Sequence, residues 1–343
     1  MDLIDRAGRG LPRLELSVNG DLPTFREPLP ASELQLGDPN ADWLWHGFFA
    51  KHSVTLLSSY WKAGKTTLVA HLLKTFECGG VFCSRTVQPA KVLYVSEEPE
   101  GLWAARRDRL GIADHVHFQI RPFMLRATQL SWVALLQHIA GQIDAKGFDL
   151  VFVDPLTTLW PVEKENEAGL VAEALMPLRM LTEKAGVVLC HHFRKSGGDE
   201  ATSSRGSGAL PGFVDTIMEL RRYDAAARKD RRRVLSSYGR FEETPEELVI
   251  ELTEEGYVAR GDRQEIAKKT LASVLPRVLP AEPPGWTWQA IKEALDRELG
   301  EDGPGPSNTR LMEILNDGFA AGDWTRAGEG RRGDPFRYWL TPL

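Results

Sequence analysis

The sequence predicts an α/β protein: a mostly parallel sheet with an antiparallel edge, followed by a small α+β domain at the C-terminal end. Three observations lead there. Short apolar runs alternate with helical patterns from residue 54 to residue 190, as parallel strands joined by crossover helices require. From Phe213 onward the pattern changes to longer alternating stretches without intervening helices, the signature of antiparallel strands closing one edge. Beyond the polar joint Arg260-Gly-Asp-Arg263, three helical patterns precede two short strands. The 343 residues suffice for two domains, and a 42% hydrophobic content supplies a sizeable core. We expect an N-terminal arm over 1–35, the main domain over 36–262 and the small domain over 263–343.

Residues 1–35 are rich in Pro, Gly and charge with only short apolar pieces, so they read as an extended arm. Trp43-Leu-Trp45 begins the core. The expected series is strand Val54–Leu57, helix Lys65–Phe76, strand Val92–Val95, helix Trp103–Leu110 and strand Val116–Ile120. It continues with helix Leu130–Ala145, strand Leu150–Val153, helix Glu167–Ala185 and strand Val187–Cys190. The antiparallel edge is expected over Val214–Arg222, Arg233–Tyr238, Leu248–Leu252 and Tyr257–Ala259. In the last domain, helices Ile266–Val278, Thr287–Leu299 and Asn308–Ala321 lead into two strands, Asp323–Arg326 and Phe336–Leu340, joined by the turn Gly328–Gly333. No repeat with the period of a solenoid or propeller is present.

Composition excludes several classes. No apolar run is long enough to span a bilayer, and the acidic start Met1-Asp-Leu-Ile-Asp5 lacks a basic region followed by an apolar stretch. Cys78, Cys83 and Cys190 are too few and too irregularly spaced for a disulfide framework or a tetrahedral metal site. A cytoplasmic location without membrane contact is the expectation. The net charge of −6 argues against a basic coat, so any nucleic-acid contact has to use local patches. One candidate patch comprises Arg221, Arg222, Arg228, Lys229, Arg231, Arg232, Arg233 and Arg240. A solvated hairpin reads equally well there.

The chemistry concentrates at strand ends. Ser59-Tyr-Trp-Lys62-Ala63-Gly64-Lys65-Thr66-Thr67 follows an apolar strand and opens a helix, the context of a phosphate-binding loop. Helix-start N–H groups lack intrahelical partners and sit at the positive end of the dipole, so they can wrap a polyphosphate. Lys65 would reach the β- and γ-phosphates of ATP, and the Thr66 hydroxyl would hold Mg²⁺. Ser59 stands where the usual pattern has Gly, with bulky Tyr60 and Trp61 after it. Asp154, closing the Leu150–Val153 strand, is the expected partner of Mg²⁺, directly or at one remove. Glu97 and Glu98 follow the Val92–Val95 strand. Glu97 is favoured as the carboxylate that orients and deprotonates the attacking water, because Glu98 precedes Pro99 and is pushed extended. Adjacent His191 and His192 face opposite sides of a strand and make a poor metal pair. One of them, assigned as His192, would contact the γ-phosphate. The loop after it carries Arg194, Lys195 and Arg205, which could follow a nucleic-acid backbone.

Taken as an ordered set, Gly64-Lys65-Thr66, Ser96-Glu97-Glu98-Pro99, Phe152-Val-Asp154-Pro155, His191-His192 and Arg205-Gly-Ser-Gly-Ala209 resembles the RecA/DnaB-type ATPases. The branch containing the plasmid RepA-type hexameric helicases is the nearest in pattern. The resemblance covers roughly residues 40–260 and implies a RecA-like core, assembly in a ring of six and ATP sandwiched between neighbours. It implies Glu97 as the catalytic carboxylate and the loop after His192 facing the central channel. It further implies Arg240 as a residue reaching the neighbouring subunit's γ-phosphate, with Tyr238 standing where such helicases carry a lysine. The C-terminal pattern is similar to winged-helix modules, with Arg310 on the recognition helix and Arg331 and Arg332 at the wing tip; both DNA and protein contact remain open for it. The implied function is a ring-forming, DNA-binding ATP hydrolase of helicase or translocase type in DNA replication or repair. Single-stranded DNA would pass through the core, duplex would bind the C-terminal domain, and a loader or initiator protein is a conceivable partner. The alternative is an ATP-switched DNA-binding regulator with slow hydrolysis.

Overall fold

The computed structural model describes residues 28–33, 43–192, 208–224, 227, 229–299 and 307–341. The chain divides into two units, Met1–Ala41 and Asp42–Leu343. Of the first, only a short segment is described, with one turn of 3₁₀ helix at Ala31–Glu33.

The second unit is built on a nine-stranded sheet. Its spatial order is Tyr257–Gly261, Glu247–Leu252, Arg232–Gly239, Thr216–Arg222, Val54–Ser59, Gly186–His192, Leu150–Asp154, Val92–Ser96 and Val116–Ile120. The six strands from Thr216–Arg222 to Val116–Ile120 are mutually parallel, and the remaining three continue antiparallel. Thr216–Arg222 thus corrects the expectation in one respect: it pairs parallel to Val54–Ser59 and only its other edge is antiparallel.

Strand parity divides the interior into two cores. On one face lie Leu57, Val92, Tyr94, Leu150, Phe152, Val188, Cys190, Leu220 and Leu235, packed against the helices Lys65–Thr75 and Glu100–Leu110. On the other lie Leu56, Leu93, Val95, Val151, Val153, Val187 and Leu189, packed against Gln129–Lys146 and the segment 168–182. Successive side chains point to opposite faces of a strand, so runs buried on both sides carry no polar alternation. The expected single helix Glu167–Ala185 is instead broken into Ala168–Leu175, a 3₁₀ turn Met176–Leu178 and Arg179–Thr182. Pro177 supplies no N–H to the ladder and interrupts it.

Two smaller sheets complete the unit. One has four strands, in the order Phe49–Ala50, Trp43–Trp45, Arg85–Val87 and Gly80–Phe82. The other joins Trp286–Thr287, Arg337–Leu340 and Trp324–Ala327, three strands where two were expected. The helices Arg263–Val278, Trp288–Leu299 and Asn308–Ala321 pack against it around a separate core of Leu271, Leu275, Ile291, Leu311, Leu315, Trp324 and Tyr338. Gly318 is required there, since a Cβ would meet the Trp324 ring at 1.9 Å. Among the described residues no helix is long and apolar enough to cross a membrane.

Candidate active site

The central strand ends at buried Ser59 and is followed by the loop Tyr60–Gly64 and the helix Lys65–Thr75. Two residues of the loop are left-handed, Lys62 at φ 59° and Gly64 at φ 105°. The second conformation calls for glycine. Gly64 caps the helix with no side-chain hydrogen bond, so the N–H groups of its first turn lack intrahelical acceptors and lie at the positive dipole end. Thr66 and Thr67 are half-buried in that turn.

Lys65 is buried and its Nζ lies 3.0 Å from Asp154 Oδ1, with the two side chains only 3% and 10% exposed. The Tyr94 hydroxyl donates to Asp154 Oδ2 at 2.5 Å. Both carboxylate oxygens are therefore occupied. Parity explains the meeting: Tyr94, Asp154 and Cys190 share the sheet face on which the Lys65 helix packs. Burial, reinforced by Asp154, raises the Tyr94 phenol well above its ordinary pKa and pushes the Cys190 thiol up likewise.

The two glutamates have different surroundings. Glu98 is ion-paired to Arg106, which also stacks on Trp103 at 4.7 Å. Its N–H donates to Ser96 Oγ, which also accepts from Trp103 Nε1 at 2.9 Å. The Glu97 backbone is held at both ends, its N–H on Asp154 O at 3.3 Å and its carbonyl accepting from Arg121 Nε at 2.9 Å. Its exposed carboxylate opens on a groove shared with Arg121, Phe123 and Thr158, and no side-chain partner is seen among the described residues. Arg121 itself is left-handed at φ 47°, a conformation that costs energy and concentrates at functional sites.

His192 and His191 separate as strand alternation requires. His192 is half-buried beside the loop, its ring edge-on to Trp61 at 6.2 Å. Burial, and then Lys65, hold its pKa below the usual histidine value. His191 points to the other face, with Nε2 3.2 Å from Glu165 Oε1.

Arg240 sits at the other end of the sheet. The register pairs Ser59 with Leu220, and Thr216 with Gly239, so the strand ends beside Arg240 and beside the loop are roughly 13 Å apart at ~3.3 Å per residue. Arg240 Nη1 bonds Asp215 Oδ1 at 3.0 Å, and Asp215 Oδ2 accepts from Val54 N–H at 2.8 Å. Reaching its own phosphate loop is thereby precluded.

Much of the Arg221–Arg240 patch is engaged within the molecule. Arg221 pairs with Glu219, and Arg232 pairs with Asp230 and stacks on Tyr223 at 4.1 Å. Arg222 Nη2 donates to Lys62 O at 3.4 Å and Arg233 Nε to Ala63 O at 2.6 Å. These contacts to the loop escape a linear reading, because 160 and 170 residues separate the partners. Parity with Leu220 and Leu235 is the signal that would have put both arginines on the loop's face. In the C-terminal module, Arg310 lies in the first turn of Asn308–Ala321, Arg331 pairs with Glu329, and Arg332 is exposed. Arg194, Lys195 and Arg205 lie outside the described residues.

The residues present fit a nucleoside polyphosphate with Mg²⁺. A left-handed glycine, an uncapped helix start, a buried lysine, a hydroxyl on the first turn and a facing aspartate converge on one end of the sheet. Ser59 Oγ, at the mouth of the loop, is buried with no hydrogen-bond partner among the described residues. Compared with known families, the chain matches the model described as an AAA domain over residues 23–198, just over half its length. No curated protein matches it.

Proposed function

The chain belongs to the AAA-domain family of P-loop ATPases, and from that premise we propose that it is an ATP-driven motor that assembles as a ring and acts on DNA. The observation that carries the reading is the division of groups between the two ends of the sheet. Lys65, Asp154 and the exposed Glu97 carboxylate stand at one end, while Arg240 stands at the other, out of reach of its own loop. Half of a catalytic set at each end suits a nucleotide bound between neighbouring copies.

In this reading Lys65 leaves Asp154 for the β- and γ-phosphates, and the first-turn N–H groups hold the remaining oxygens. Glu97 takes the proton of the attacking water, held by backbone bonds that leave its side chain free to point at the nucleophile. His192 lies on the γ-phosphate side, and Arg240 of one subunit stabilises the charge that develops in the next. Mg²⁺, held by Thr66 and, directly or through water, Asp154, would neutralise charge on the β- and γ-oxygens. The C-terminal module, read as a winged helix, would offer Arg310, Arg331 and Arg332 to duplex DNA.

The test is steady-state hydrolysis of ATP by wild type and Lys65→Ala, with and without single-stranded DNA, across protein concentration. Specific activity that rises with assembly and with DNA, and vanishes in the variant, is the expected result. A chain that stays monomeric with ATP analogue and DNA present would sink the motor. The compact core of the C-terminal module supports a second reading, an ATP-switched DNA-binding regulator. That reading predicts slow, DNA-indifferent hydrolysis, with specific DNA binding lost on removal of 263–343.

A further inference from the structure

Arg222 and Arg233 face each other directly across two antiparallel strands. Like charges in that position repel, so their placement calls for a compensating interaction. Both side chains turn onto the phosphate loop and donate to consecutive carbonyls, Lys62 O and Ala63 O. The Arg233 guanidinium is fixed from behind as well, by Asp230 O at 2.8 Å and Arg232 O at 2.7 Å. Buried Tyr257, from another edge strand, closes the cluster, with its hydroxyl 3.5 Å from where a Cβ on Gly64 would stand.

The loop they touch departs from the usual pattern. It lacks the first glycine, Ser59 taking that place, and it holds Lys62 in a left-handed conformation that a non-glycine residue adopts only at a cost. In a trans peptide the C=O and N–H point in opposite directions. Turning the Ala63 carbonyl onto Arg233 therefore turns the Gly64 N–H away from it. The Ala63 N–H is already used by Tyr60 O at 3.1 Å, whereas no acceptor for the Gly64 N–H is seen among the described residues.

We propose that Arg222 and Arg233 are positioning residues of the nucleotide site: by holding the Lys62 and Ala63 carbonyls they set the loop with its Gly64 N–H presented to phosphate, in place of the missing glycine. This rests on the nucleotide reading above. The arginines act through the loop backbone, and the ligand class they serve is a nucleoside di- or triphosphate.

The experiment uses the full chain and the variants Arg233→Gln, Arg233→Lys and Arg222→Gln. Two quantities are read: affinity for ADP and for a non-hydrolysable ATP analogue with Mg²⁺, and amide hydrogen exchange over residues 60–66 without nucleotide. Arg233→Gln should weaken both nucleotides about tenfold, as loss of one charge-assisted hydrogen bond implies. It should also speed exchange in the loop while leaving exchange in the Leu150–Asp154 strand unchanged. Arg233→Lys should recover part of the affinity, since one donor remains. Unchanged affinity and loop exchange in Arg233→Gln would overturn the proposal and leave the nucleotide reading standing. Exchange that rises throughout the sheet would overturn it too, by marking a purely structural role. Should Arg233→Gln fail to fold, Arg222→Gln decides by the same two readings. Failure of the wild type to bind either nucleotide would overturn both.

Discussion

Removing one charge at a time from the Lys65–Asp154 pair, and then both, separates its electrostatics from its chemistry. The pair is buried at 3.0 Å, and leaving one member of such a pair behind costs about 3–5 kcal/mol. Lys65→Met should fall near about 3 kcal/mol, because the Tyr94 hydroxyl still serves one Asp154 oxygen. Asp154→Asn should cost about 4 kcal/mol, since among the described residues the only other oxygen at Lys65 Nζ is the His191 carbonyl, at 3.5 Å. The double variant strands no charge, and about 1–3 kcal/mol is expected for it. The coupling is then roughly 4–6 kcal/mol, far beyond the few tenths by which independent sites deviate from additivity. Thermal unfolding of nucleotide-free protein reads this directly at about 2–4 °C per kcal/mol. The double variant should melt above Asp154→Asn. Additive losses, with the double variant melting lowest, would refute the argument.

Three further outcomes follow from the same geometry. Arg240→Ala loses an exposed pair with Asp215, so stability should move by about 0–1 kcal/mol while hydrolysis falls by about 10³–10⁵. Mixing Arg240→Ala with Lys65→Ala, each supplying what the other lacks, should restore part of the rate; no recovery would argue against action between subunits. His192 has a folded pKa below its unfolded value of about 6.5, so the unfolded chain binds the proton first. Stability should therefore be lost as pH falls from about 6.5 toward the lowered folded value, and His192→Asn should flatten that slope in denaturation profiles. Cys78 is exposed, whereas Cys83 is buried with its thiol pushed up to about 12 and Cys190 is buried and also raised. A maleimide should label Cys78 in the native protein and the other two only after unfolding, as peptide mass analysis would read.

What was legible in the sequence was what short-range periodicity encodes. The Val116–Ile120 strand and the Asn308–Ala321 helix fall where their patterns put them, because each has a continuous apolar face and clear ends. The hairpin Gly80–Phe82 to Arg85–Val87 was not visible. Its turn uses Cys83 and Ser84, both left-handed at φ 50° and 59°, where an Asn-Gly pair would have announced it. In the site, the lysine, threonine and aspartate were readable because each sits at a strand or helix end. Strand alternation sends His192 toward the loop and His191 toward Glu165. The arginines on the loop and Arg121 behind Glu97 were not readable, since only strand pairing and tertiary closure bring them there.

The strand Arg232–Gly239 joins Arg233, on the phosphate loop, to Arg240, just past its far end. Seven residues of extended chain span roughly 24 Å at ~3.4 Å per residue. Hydrogen-bonded to a neighbour along each edge, such a strand cannot shorten or buckle without breaking its ladders, so it behaves as a strut. A tilt imposed where it meets the loop is delivered as a tilt at Arg240, and the two arginines cannot be adjusted separately. In a closed ring of such subunits, the strut would make the state of one junction a mechanical boundary condition on the next.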